Sequence, residues 1–143
     1  MATSTHIHPE KVQAYLATDY TLGHDGQRIV LNIGKPSTPL AALMAAHGVQ
    51  CGAFLTAYNP RGTIQSDTAN QSGHAELARL LRDQSHPFVE GSGSATDSDW
   101  PAEKGFFALG LALDAAKAIG RQFDQDAIVW TDADALPQLI LLR

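Results

Sequence analysis

The chain has 143 residues, of which 44% are hydrophobic and 17% charged, which supports one core and one domain spanning 1–143. No apolar run approaches the roughly 18 residues that a membrane-spanning helix needs, so no membrane partner is expected. A net charge of −5 argues against a broad nucleic-acid face, and the single Cys51 excludes an internal disulfide and a cysteine-based zinc site.

The first eleven residues lack the basic-then-apolar pattern of a secretory signal, so a cytoplasmic protein is expected, with residues 1–7 as a mobile tail. His8 to Ala17 reads as a helix with Pro9 at its first position and Val12, Tyr15 and Leu16 on one face. Asp19–Leu22 and Arg28–Ile33 read as a hairpin around the Asp25-Gly26 turn. Thr38-Pro39 opens a helix that Gly48 stops. Cys51 to Tyr58 is an apolar run of the kind found in buried strands, ended by Asn59-Pro60-Arg61-Gly62. Ser66 to Gln84 is helical, most clearly at Leu77, Leu80 and Leu81. Pro87–Ser94 reads as an irregular strand because of Gly91 and Gly93, and 95–101 as a polar loop. A strand over Gly105–Leu111, a helix through Leu113, Ala116, Ile119 and Phe123, and strands at Ala127–Trp130 and Gln138–Leu142 complete the chain.

The order hairpin, helix, strand occurs twice. Ile29–Gly34 resembles Phe106–Gly110, Leu40–Gly48 resembles Ala112–Gly120, and Ala53-Phe54-Leu55 resembles Ala127-Ile128-Val129. The expected fold is α+β or α/β: one mixed sheet of six or seven strands with packed helices, built from two superposable ββαβ halves.

Five landmarks recur together: Thr56-Ala57-Tyr58-Asn59-Pro60, Asn70 at the start of the next helix, Glu90-Gly91-Ser92-Gly93, Trp100-Pro101-Ala102-Glu103, and Phe123-Asp124-Gln125-Asp126-Ala127. As a set they resemble a family of small bacterial proteins known only as a domain of unknown function. The resemblance covers residues 15 to 142. It implies an α/β-type domain in the bacterial cytoplasm and no particular activity. Lys104-Gly105 follows the glutamate, where the family usually has Ser or Pro.

Established chemistries leave few traces. There is no phosphate-loop or dinucleotide fingerprint, no Gly-x-Ser-x-Gly elbow, and no histidine spacing of a zinc site, so neither a metal site nor a cofactor is expected. Asp97, Asp99 and Glu103 lack the rest of a calcium loop and read as a solvated acidic stretch. Cys51 opens a strand without a neighbouring base and reads as a core thiol. The polar motif is the end of the Cys51–Tyr58 strand, since ligands gather at strand C-termini. Asn59, before Pro60, is expected to be extended. The candidate ligand-binding residues are Tyr58, Asn59, Asn70, Trp100 and Glu103, with Glu103 the one plausible acid or base. A structural corner, in which Asn59 satisfies backbone groups, is the competing reading. The first functional expectation is a domain binding a small polar ligand such as a nucleotide or metabolite, as enzyme or receptor. The alternative is a non-catalytic interaction module acting through a partner protein, with a homodimer as one form. Tyr58 and Asn59 are expected to share one concavity with Trp100 and Glu103, which requires their two strands to run antiparallel.

Overall fold

The computed structural model describes residues 7–24, 26–95 and 100–143. Helix α1 (Pro9–Leu16) leads into β1 (Thr18–His24) and β2 (Gln27–Leu31). Helix α2 (Thr38–Ala46), capped by the Ser37 hydroxyl on the Leu40 amide, leads to β3 (Gly52–Thr56). A short 3-10 turn (Pro60–Gly62) precedes α3 (Asp67–Asp83), which the Ser66 side chain caps. Then come β4 (Phe88–Ala95), β5 (Glu103–Leu109), α4 (Leu113–Gln122), β6 (Ala127–Thr131) and β7 (Gln138–Leu141). The tail expected over 1–7 lies, except for Ile7, outside the described residues, as do Asp97 and Asp99. Ile7 itself is buried.

The seven strands form one sheet in the order β2-β1-β4-β5-β3-β6-β7, and the fold is α+β. Every pairing is antiparallel, where the sequence reading expected a mixed sheet. The reason lies in the crossovers. Helices α2, α3 and α4 each link two strands that do run parallel, but an oppositely directed strand always lies between them. Helix α2 carries the chain from β2 to β3, toward the β7 edge. Helix α3 carries it back from β3 to β4, and α4 carries it from β5 to β6.

These directions also decide which face each helix covers. Crossovers of one hand that move oppositely from like-directed strands, or alike from oppositely directed strands, fall on opposite faces. A shared hand therefore puts α2 on one face and α3 and α4 on the other. The core divides accordingly. Leu40, Leu43 and Met44 of α2 pack with Leu22, Leu31, Phe107 and Leu109. Leu77 and Leu81 of α3 and Ala116 and Ile119 of α4 pack with Leu55, Phe106 and Ile128.

The same topology overturns the expected repeat. The β3 and β6 strands do share the sheet as neighbours, but α2 spans three intervening strands and α4 only one, on opposite faces. The halves therefore share an element order and cannot superpose. Ile33 also falls beyond β2, whereas its supposed counterpart Leu109 lies within β5.

The sheet curls toward the α2 face. Gly34 N–H donates to the Pro137 carbonyl and Ser37 N–H to the Ala135 carbonyl, so the segments flanking the two edge strands meet. Helix α2 fills the concave side at that end, and α1 lies over the other.

Candidate functional site

The β3 strand ends in a corner built from side-chain amides. Thr56 Oγ1 donates to the Lys104 carbonyl (2.6 Å) and accepts from Tyr58 N–H (3.0 Å). Asn59 is buried and left-handed (φ 47°, ψ 62°), not extended as expected before proline. Asparagine tolerates this region, and four hydrogen bonds hold it there. Its N–H donates to Asn70 Oδ1 (2.8 Å), and its Oδ1 accepts from Asn70 Nδ2 (3.0 Å) and Gln65 N–H (3.1 Å). Its Nδ2 donates to Glu103 Oε2 (2.9 Å). Gln65 Nε2 adds a bond to Asn70 Oδ1 (2.8 Å). Such a buried network is favourable because no buried polar atom of Asn59 or Asn70 is left without a partner.

Glu103 joins this corner to a cavity. Its Oε2 also accepts from Trp100 Nε1 (2.9 Å), so two donors fix the carboxylate, and no described residue donates to Oε1. The cavity, about 240 Å³, occupies the concave side between α1 and the sheet. Tyr15, Tyr20, Phe54 and Trp100 supply aromatic walls, and Lys11, Glu103 and Gln125 supply polar groups. Gln125 Nε2 is already committed to the Tyr58 carbonyl (3.0 Å).

Two glycines give the aromatic rings their room. Gly91 and Gly105 face each other across β4 and β5. A Cβ on Gly91 would stand 2.5 Å from the Thr21 carbonyl oxygen and 3.1 Å from the Phe54 ring, and one on Gly105 would meet the Leu55 carbonyl and the same ring. The ring of Phe54 thus lies over bare backbone, 5.3 Å from that of Tyr20.

Helix α1 roofs the cavity without fully burying any of its own residues. Its polar anchor is Lys11, whose Nζ meets Asp126 Oδ2 at 2.6 Å. Asp126 is itself buried and takes Arg143 Nε on its other oxygen at 2.7 Å. Burial pushes the Tyr15 phenol well above its ordinary range, and the charges of Asp126 and Glu103 push it further. Burial does the same to Tyr20, whose hydroxyl donates to the Tyr15 carbonyl (3.4 Å).

A family model described as "Protein of unknown function (DUF3293)" matches residues 55–128, a little over half of the chain. The chain belongs to the DUF3293 family. Searches of the curated proteins and of the solved structures found no match. The part matching DUF3293 contains the whole Asn59–Asn70–Glu103–Trp100 network, and α1, Tyr20 and Phe54 lie outside it.

Four of the five candidate residues are therefore joined by hydrogen bonds: Asn59, Asn70, Trp100 and Glu103. The antiparallel β3–β5 pairing that this requires is present, with Thr56 opposite Gly105. Tyr58 is the exception. Beyond the end of β3 its ring sits edge-on to His74 of α3, 6.0 Å away, and lines a groove on the opposite face of the sheet. One concavity thus holds Asn59, Glu103 and Trp100 but not Tyr58. Sequence reasoning missed the cavity's other walls. Tyr15 read as core-facing by periodicity and Tyr20 only as part of a hairpin strand, and nothing local connects α1 to β3. Gly91 and Gly105 carried the usable signal, because glycines inside strands mark places where something approaches the backbone closely. Among the described residues, no cluster of three or more His, Cys, Asp or Glu is placed to hold a metal ion. No described helix is long and apolar enough to cross a membrane.

Proposed function

We propose that the protein is a ligand-binding domain whose α1-roofed cavity takes a small flat molecule carrying a hydrogen-bond donor, such as a nucleobase- or amide-bearing metabolite. One observation carries this reading: Glu103 lines an aromatic cavity with Oε2 held by two donors, while among the described residues no donor reaches Oε1. Aromatic walls favour a planar body, and a fixed carboxylate favours a donor on its edge. Lys11 is already tied to Asp126, so among the described residues the cavity has no unpaired cation for a phosphate, and a base or nucleoside fits better than a nucleotide. The reading gives Glu103 a role in recognition and assigns it no proton transfer.

The test is a thermal-shift and tryptophan-fluorescence screen with nucleobases, nucleosides and aromatic amides, alongside native mass spectrometry of the purified protein. At least one of these classes raises the melting temperature and changes Trp100 emission. Glu103→Gln keeps an acceptor for Asn59 and Trp100 but removes the charge. It weakens the hit about tenfold, which corresponds to about 1.4 kcal/mol, and leaves the melting temperature nearly unchanged. A hit that binds Glu103→Gln as tightly as the parent refutes the reading. So does a screen without hits together with a mass spectrum free of ligand.

A further inference from the structure

The second concavity lies on the convex face, between α3 and the part of the sheet that no helix covers. It is an open groove of about 780 Å³. Three exposed cations line it: Arg79 and Arg82 from α3 and Lys104 from β5. None of the three has an acidic partner among the described residues. Among the described residues Glu90 is the one acid lining the groove, and it meets His74 Nε2 (3.4 Å). Arg82 is held over the Phe88 ring, 5.6 Å from its centroid, so its guanidinium is positioned in advance. Gln71, His74, Ala78 and Arg82 follow one another along α3, so the groove runs for about 16 Å at 1.5 Å per residue.

The contrast with the rest of the molecule makes this groove informative. The chain carries five more acidic than basic groups, yet among the described residues lining this groove unpaired cations outnumber acids three to one. A long open groove with cations on both walls and aromatic rings along it matches an extended polyanion with flat substituents. We propose that this groove binds single-stranded nucleic acid, with Arg79, Arg82 and Lys104 contacting phosphates. The inference is independent of the α1 cavity and does not involve Glu103.

The test is fluorescence anisotropy of the full chain with a labelled single-stranded oligonucleotide at low salt. Binding weakens as salt rises, with a log–log slope of about −2 for three phosphates at about −0.7 each. The double variant Arg79→Glu, Arg82→Glu lowers affinity about tenfold or more, and Lys104→Ala lowers both affinity and slope by about one phosphate's share. Glu90→Gln tightens binding, and Lys35→Ala, which alters an exposed cation elsewhere, leaves it unchanged. Circular dichroism confirms that each variant is folded. Absence of binding at low salt overturns the proposal. So does an equal loss with Lys35→Ala, which marks diffuse charge attraction. Complete displacement by an equal concentration of inorganic pyrophosphate also overturns it, because the groove would then be a site for small phosphates.

Discussion

The two concavities share a wall only one strand thick. Glu103 and Lys104 are consecutive in β5, and because side chains alternate across a sheet they enter different spaces. The carboxylate goes to the concave side, where Asn59 and Trp100 hold it and aromatic rings surround it. The ammonium goes to the convex side, where it stands in solvent with two arginines. The concave site rests on the buried Asn59 and Asn70 amides, which satisfy one another, so its integrity is bound up with folding. The convex groove is built from solvated side chains, so its charges can change at little structural cost. One strand register thus supports a rigid aromatic-walled cavity and an adaptable charged groove back to back.

Substitutions should divide along this line. The largest loss is expected for Asn70→Ala, which strips the acceptor from Asn59 N–H and from Gln65 Nε2. At about 1–3 kcal/mol for each stranded buried group, the cost is about 3 kcal/mol in urea denaturation. Arg79→Ala serves as the convex counterpart and stays within about 0.5 kcal/mol. Equal losses from the two would erase the distinction between the sites. Next comes Gly91→Ala, whose Cβ must displace the Thr21 carbonyl and the Phe54 ring. It costs about 1–3 kcal/mol by overpacking, and ligands found for the cavity should bind it more weakly. Lys11→Met frees α1 from Asp126, which keeps Arg143, and costs about 1 kcal/mol. Hydrogen exchange should then quicken in α1 while α3 is unaffected.

The smallest effect at neutral pH belongs to Tyr15→Phe, but it grows with alkali. Folding raises the Tyr15 and Tyr20 phenols above the ordinary value of about 10. Above that pH the unfolded chain loses protons that the folded chain retains, so the contribution of these two phenols to stability is constant below about pH 10 and falls as pH rises beyond it. Tyr15→Phe should flatten part of this fall, as read from melting temperatures across the alkaline range. An unchanged alkaline profile would show that Tyr15 ionises as freely in the folded protein as in the unfolded one.

Much of the architecture was legible because local signals are strong where burial is one-sided. Leu77 and Leu81 mark the inner face of α3, and the apolar run Ala53-Phe54-Leu55 marks a strand covered on both sides. The corner at Asn59 was legible as a cluster because a central strand ending in polar groups must satisfy them near its end. Its left-handed backbone was not legible. The restriction imposed by Pro60 points to extended geometry, and what overrides it is Asn70, eleven residues away. The side taken by Tyr58 was equally hidden, since it lies past the last paired residue of β3, where alternation no longer dictates direction. Strand order was hidden for a related reason. The pairing of β1 with β4 joins Tyr20 to Gly93, and nothing near either residue announces the other.

That strand order has a consequence for synthesis. As the chain leaves the ribosome, β1 and β2 can pair at once, but β3 has no partner among them. Its neighbours β5 and β6 both come later in the sequence, so its apolar residues wait through the making of α3, β4 and the loop beyond. Distant pairings of this kind slow folding and leave strand edges open to other chains. The segment most exposed to misassembly in the nascent protein is therefore Gly52–Thr56, the strand that lies deepest once folding is complete.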